Sequence, residues 1–247
     1  MVHYTHTWPQ SGNFTRVPVI VGSNADEVPP SYSRDMTPEA YEAGLRDYFG
    51  DEFADKLMAM YPPEDYETPW FALQRLISDF IFSCPVRFFD AQTQCSCAPV
   101  PQARADARRM APHTDVYHYL LSYSSGLVDR WAPHFGAHHA AEIPYVFNVV
   151  RTFNRQEDFD MATIFTTYWT SLAKNGDPNA HDVEAVPTWP LFLGGNGALT
   201  QEMVHPPAPI VDIKDAECDL WDSYGSPIVS LESFPWHLFG EPDAHAF

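Results

Sequence analysis

The chain has 247 residues, of which 45% are hydrophobic and 15% aromatic, enough apolar material for a packed core. Fourteen basic against 33 acidic side chains leave a net charge of −19, which repels phosphate backbones and anionic membrane surfaces and argues against nucleic-acid binding. No apolar run approaches the roughly 18 residues of a membrane helix, and Met1 to His6 carries neither the basic nor the apolar region of a signal peptide.

With 23 prolines, the composition favours ordered loops and short elements over a helical bundle. Val17-Pro18-Val19-Ile20-Val21-Gly22 is a compact apolar run that predicts a strand buried on both faces. It ends in Ser23-Asn24-Ala25-Asp26-Glu27, which places two carboxylates beyond the carboxyl end of a strand, where open α/β sheets carry chemistry. The plain alternative is a pair of solvated carboxylates capping a turn.

Thr37-Pro38-Glu39 predicts an N-cap followed by Pro at the first helical position. Tyr41, Leu45, Tyr48 and Phe49 recur at helical spacing, and Gly50 closes that helix. A second helix is expected over Asp51 to Met60, broken by Pro62-Pro63. Trp70 to Phe82 carries an apolar stripe of Phe71, Leu73, Leu76, Ile77, Phe80 and Ile81, expected to bury against a sheet as core, not as a cofactor box. Another helix is expected to start in Val86 to Gln92, and Arg104, Arg108 and Arg109 read as a solvated helix face.

Val116 to Tyr123 is β-branched and aromatic, a strand. Beyond it lies Gly136-Ala137-His138-His139-Ala140-Ala141-Glu142-Ile143-Pro144-Tyr145-Val146-Phe147. A histidine among small residues, followed by a carboxylate and an apolar run, suits a catalytic imidazole hung at the edge of a core with room for substrate. Met161, Ile164, Phe165, Tyr168, Trp169 and Leu172 then predict one amphipathic helix over Asp158 to Lys174. Asn175-Gly176 ends it, and Asp177-Pro178-Asn179 forms the exit turn. Ala198 to Val204 reads as a final edge strand and Ser233 to Phe247 as an irregular tail.

Several of these stretches, taken together, resemble the type-B carboxylesterase and cholinesterase family. The His139-Ala-Ala-Glu-Ile-Pro-Tyr-Val-Phe block is similar to the family's histidine loop, with His139, not His138, in the place of the general base. Val-Pro-Val-Ile-Val-Gly-Ser-Asn-Ala-Asp-Glu is similar to the strand end bearing the triad acid, which makes Glu27 that acid; where the family continues with Gly, this chain reads Val28-Pro29-Pro30. The run Tyr168-Trp169 to Asn179, Trp189-Pro190-Leu191-Phe192 and the Cys218-x-x-Trp221 helix match structural positions of the family.

The resemblance implies an α/β fold, specifically the C-terminal part of an α/β-hydrolase sheet with packed helices. Residues 1–247 would then form the C-terminal portion of one carboxylesterase domain. It implies a serine esterase acting on small-molecule carboxylic esters without a cofactor. His139 would deprotonate the serine hydroxyl, Glu27 would hold the imidazole's tautomer, and Glu142 would order the loop by hydrogen bonding. It further implies a Cys84–Cys218 disulfide, and with it a lean towards a secreted, oxidising location; two free buried thiols are the alternative. The pairing of Cys95 and Cys97 stays open.

In this fold the triad runs serine, acid, histidine, with the serine in Gly-x-Ser-x-Gly. Glu27 and His139 keep that order, but no Gly-x-Ser-x-Gly or His-Gly-Gly-Gly stretch occurs in the 247 residues. The expectation is therefore an inactive or incomplete fragment of an esterase, with a non-catalytic cholinesterase-like adhesion or binding module as the alternative. A metal site at His134, His138 and His139 is not expected, because Gly136 interrupts the helix that would align the first two.

Overall fold

A computed structural model describes residues 15–28, 36–84, 110–131, 135–149, 155–194, 197–211, 213–224 and 234–239. In chain order the elements are β1 (Val19–Asn24), α1 (Pro38–Phe49), α2 (Asp51–Met60), α3 (Pro69–Ser78), β2 (Val116–Leu121), α4 (Gly126–Trp131), α5 (Ile143–Val146), α6 (Gln156–Asn175), β3 (Leu199–Met203), β4 (Ala208–Val211) and α7 (Asp215–Tyr224). A π-helical turn over Asp79–Ser83 and 3-10 turns over Pro63–Asp65 and Trp236–Phe239 complete them. The chain divides into two compact units, residues 1–25 with 101–213 and residues 26–100 with 214–247.

The first unit holds the sheet, in the order β1-β2-β3-β4. The β1–β2 and β2–β3 pairs are parallel and the β3–β4 pair antiparallel, so the class is α/β. All six residues of β2 are buried. Tyr117, Tyr119 and Leu121 enter one cluster with Met161, Ile164, Phe165 and Tyr168 of α6, while Val116 enters another with Phe192 and Ala198. That is the two-faced burial of a parallel strand.

The expectation of a doubly buried strand at Val17 to Gly22 needs correction. Strand β1 starts at Val19, and Val19 to Gly22 are only half-buried because β1 lies at one end of the strand order. Its side chains still alternate, Ile20 packing on the cluster of Tyr117 and Val19 and Val21 on that of Val116. Gly22 faces Tyr119 in register, and a Cβ there would run into the Tyr119 ring.

Helix α6 covers the predicted segment with two further residues at its start and one at its end. Gly176 stops it in the left-handed conformation (φ 74°), donating its N–H to Leu172 O. Asp177 Oδ1 then accepts from Asn179 N at 2.8 Å, the turn expected there. The Asn179 amide receives Trp189 N–H (2.7 Å) and donates to Trp189 O (3.0 Å), and Phe192 N–H donates to Val116 O at 2.8 Å. Strand β3 falls within the predicted Ala198 to Val204 but is not the edge: β4 flanks it, formed from Ala208-Pro209-Ile210-Val211.

The second unit is helical. Thr37 caps α1, its hydroxyl accepting from Ala40 N at 3.2 Å, and Pro38 opens the helix as expected. Among the described residues, the α3 stripe (Ala72, Leu73, Leu76 and Ile77, all 0% exposed) packs into a cluster that holds no strand residue. Its cluster holds Tyr41, Leu45 and Phe49 of α1, Phe53 and Leu57 of α2, and Cys218 and Trp221 of α7. After Ser78 the helix widens into the π-helical turn, whose last bond runs from Cys84 N–H to Asp79 O at 2.7 Å. Cys84 and Cys218 form the disulfide, with Cα atoms 4.9 Å apart. In the expected irregular tail, Phe234 and Phe239 are buried in the same cluster. The expected helix at Val86 to Gln92, the arginines 104, 108 and 109, and Cys95 and Cys97 lie outside the described residues.

Candidate active site

The histidine loop belongs to the first unit. His138 O accepts from Ala141 N–H at 3.0 Å, and Ile143 N–H donates to Ala140 O at 3.2 Å, a tight double turn that delivers the chain into α5. The turn holds Ala140 at φ 66°, a left-handed conformation costing roughly 1–2 kcal/mol for a residue with a Cβ. Backbone strain beside a histidine is the kind of outlier that marks functional loops. The His138 ring is half-buried, its Nδ1 2.8 Å from His139 O and its edge towards Phe135, with ring centroids 5.7 Å apart. The His139 side chain is exposed. Of the two residues, His139 is the more exposed.

Glu142 is tied down. The Asn24 amide, 2% exposed at the end of β1, donates one hydrogen to Glu142 Oε2 (2.7 Å) and the other to His138 O (2.8 Å). One side chain thereby fastens the strand's carboxyl end to both shoulders of His139. Nothing in the sequence singled Asn24 out, since an asparagine after a strand reads first as a turn former.

Glu27 belongs to the second unit and is 6% exposed, which removes the alternative of a solvated turn carboxylate. Its neighbours on either side are pinned by α3. Arg75 Nη2 pairs with Asp26 Oδ1 at 3.1 Å, and the Gln74 amide, 1% exposed, donates to Val28 O at 2.7 Å. A Gln-Arg pair inside an apolar helical stripe was the available signal for this bracket.

Among the described residues no group of three or more His, Cys, Asp or Glu could hold a metal ion, and His134 lies outside them. No described helix is long and apolar enough to cross a membrane.

Against known proteins, the model of the carboxylesterase family matches residues 10–221. The chain is 28% identical over 207 residues to the rat pyrethroid hydrolase Ces2e, covering 73% of this chain and 32% of that protein. It is 29% identical over 203 residues to human cocaine esterase, covering 74% and 33%. Acetylcholinesterase 4 of Caenorhabditis briggsae is 28% identical over 160 residues, 60% of this chain and 25% of its own. The chain spans about a third of the length of the first two. The parallel strands with packed helices are part of the α/β-hydrolase fold of that lineage of ester hydrolases, and the chain belongs to the carboxylesterase family.

Proposed function

We propose that residues 1–247 are the C-terminal portion of one carboxylesterase domain and supply the base and acid of a serine esterase acting on small-molecule carboxylic esters. His139 takes the proton of the attacking serine hydroxyl and returns it to the leaving alcohol. Glu27 holds the imidazole in the reactive tautomer and offsets the charge of the imidazolium, and Glu142 orders the loop. The observation that carries this reading is the Asn24 side chain, which joins the carboxyl end of β1 to the backbone and carboxylate flanking His139. Glu27 follows Asn24 by three residues, so covalent geometry alone limits their Cα separation to about 11 Å.

No Gly-x-Ser-x-Gly stretch occurs in the 247 residues. By themselves they are therefore inactive, lacking both the nucleophile and the oxyanion donors that acyl transfer requires. The retention of both Glu27 and His139 favours this over a purely adhesive module. The test is an NMR titration of His139 in the purified chain and in Glu27→Gln. A neighbouring carboxylate raises the pH at which an imidazole ionises, so its removal must lower that pH. An unmoved His139 titration curve sinks the pairing. Turnover of 4-nitrophenyl acetate by the purified chain, abolished by His139→Ala, would sink the inactivity.

A further inference from the structure

We infer that Asp158 is a positioning residue that cinches the base of the segment carrying His139, by binding both ends of that segment with one buried carboxylate. The inference rests on the reading of His139 as the general base. Asp158 lies in the first turn of α6 and is 0% exposed, a costly place for a carboxylate unless it is well satisfied.

From the end nearer β2, Tyr123 Oη donates to Asp158 Oδ1 at 2.8 Å, and Gly126 N–H donates to both oxygens at 3.1 and 3.2 Å. From the other end, Arg155 N–H donates to Oδ2 at 3.3 Å. Arginine has no acceptor, so this is the only half of a capping box that can form here.

The Arg155 side chain closes the same junction from outside. Its Nη2 donates to Ser124 O (2.5 Å) and Tyr123 Oη (3.3 Å), its Nη1 pairs with Asp129 Oδ2 (2.7 Å), and the guanidinium lies 5.4 Å from the Tyr123 ring centroid. The chain at Tyr123 to Gly126 and the chain at Arg155 therefore meet at one point. Fixing both ends of a loop removes most of the conformations open to what lies between them.

The junction reaches the histidine loop through aromatic packing. Tyr123 meets Tyr145 edge-on at 6.0 Å, Tyr145 stacks on Phe165 of α6 at 5.7 Å, and Thr166 Oγ1 donates to Tyr145 O at 3.1 Å. Val146 N–H, one residue on, bonds Glu142 O at 3.0 Å. The loop is thus held at two places, by Asn24 beside the histidines and by Asp158 at its base, as a general base needs if it is to stay in reach of its proton. Gly126 is part of the device: a Cβ there would sit 2.8 Å from Arg155 Cγ and 3.0 Å from Asp158 Oδ2.

The test is peptide-resolved hydrogen exchange on the intact 247-residue chain, with NMR of the histidine rings. Asp158→Asn should raise exchange in residues 135–149 by about tenfold or more while residues 19–24 and 116–121 keep their rates. It should also shift or broaden the His139 ring resonance and leave that of His118, on β2, in place. Tyr123→Phe removes one donor while keeping the ring, and should produce the same pattern more weakly should Asp158→Asn fail to fold. Exchange raised equally in all three segments, or unchanged in 135–149, overturns the inference. A loosened loop with an unmoved Glu27→Gln titration would sink the catalytic reading and leave the cinch standing; the reverse would sink the cinch alone.

Discussion

Asn24 hydrogen-bonds Glu142 across 118 positions of sequence, at 2.7 Å, and with its second amide hydrogen holds the carbonyl of His138. An amide suits this position because it offers two donors to two acceptors. No other uncharged side chain of that size does so.

Asn24→Ala should therefore destabilise the first unit by about 1–3 kcal/mol, the cost of leaving two partly buried acceptors unmet. Asn24→Asp should cost more at neutral pH, because a carboxylate would face both Glu142 and a carbonyl. The facing charge raises the new carboxyl's pKa, so the penalty should fade as pH drops to about 4 and the group protonates. Urea melts at both pH values check this; an Asp variant no worse than Ala at neutral pH would contradict the assigned contact.

In the second unit the π-helical turn meets α7 at a cross-linked junction. There the disulfide lies beside a partly buried ion pair, Lys214 Nζ to Asp79 Oδ2 at 2.8 Å, with Asp79 1% exposed. Tyr61 Oη also donates to that oxygen at 3.0 Å. Replacing both Cys84 and Cys218 with serine opens a loop of 134 residues, which should cost about 4 to 5 kcal/mol in the chain-entropy account. Lys214→Met strands Asp79 and should cost about 3–5 kcal/mol. Since both act on the same turn, the combined variant should lose less than the sum, as a denaturation cycle would reveal.

The α/β class and the helix at Asp158 to Lys174 were legible because period, capping and family-like motifs agree there. What escaped had local signals that long-range contacts overrode. The α3 stripe has the width of a sheet-packing face, yet a stripe does not say what covers it, and its partners Tyr41, Phe53 and Trp221 come from distant stretches. Strand β4 hid behind three prolines in Pro206-Pro207-Ala208-Pro209, residues that fit a sheet only at its margin, which is where β4 lies. Asn24 and Asp158 escaped for a further reason: a polar residue at an element end looks like an ordinary cap until its partners are known.

Gly22 tests the register of the parallel pair. It lies opposite Tyr119, whose ring occupies the space a Cβ would take. Gly22→Ala should destabilise the first unit by about 1–3 kcal/mol through overpacking, despite the better strand propensity of alanine. Gly22→Ala combined with Tyr119→Leu should recover part of that loss in a thermal melt. Equal stability of Gly22→Ala and the parent chain would place the Tyr119 ring elsewhere.

High pH should unfold the chain through its tyrosines. Burial, and next the Asp177 carboxylate to which it donates at 3.3 Å, push the Tyr117 hydroxyl up to about 12 from 10.0. Burial also raises Tyr41, Tyr61, Tyr123, Tyr145 and Tyr168, with Asp158 adding to the effect at Tyr123 and Tyr145. Each is an acid whose neutral form is favoured by folding, so its contribution is complete below pH 10 and lost as pH climbs towards and past 12. Tyrosinate absorbance followed alongside circular dichroism should show these phenols ionising together with unfolding. Their smooth ionisation near pH 10 in a chain that stays folded would contradict their burial.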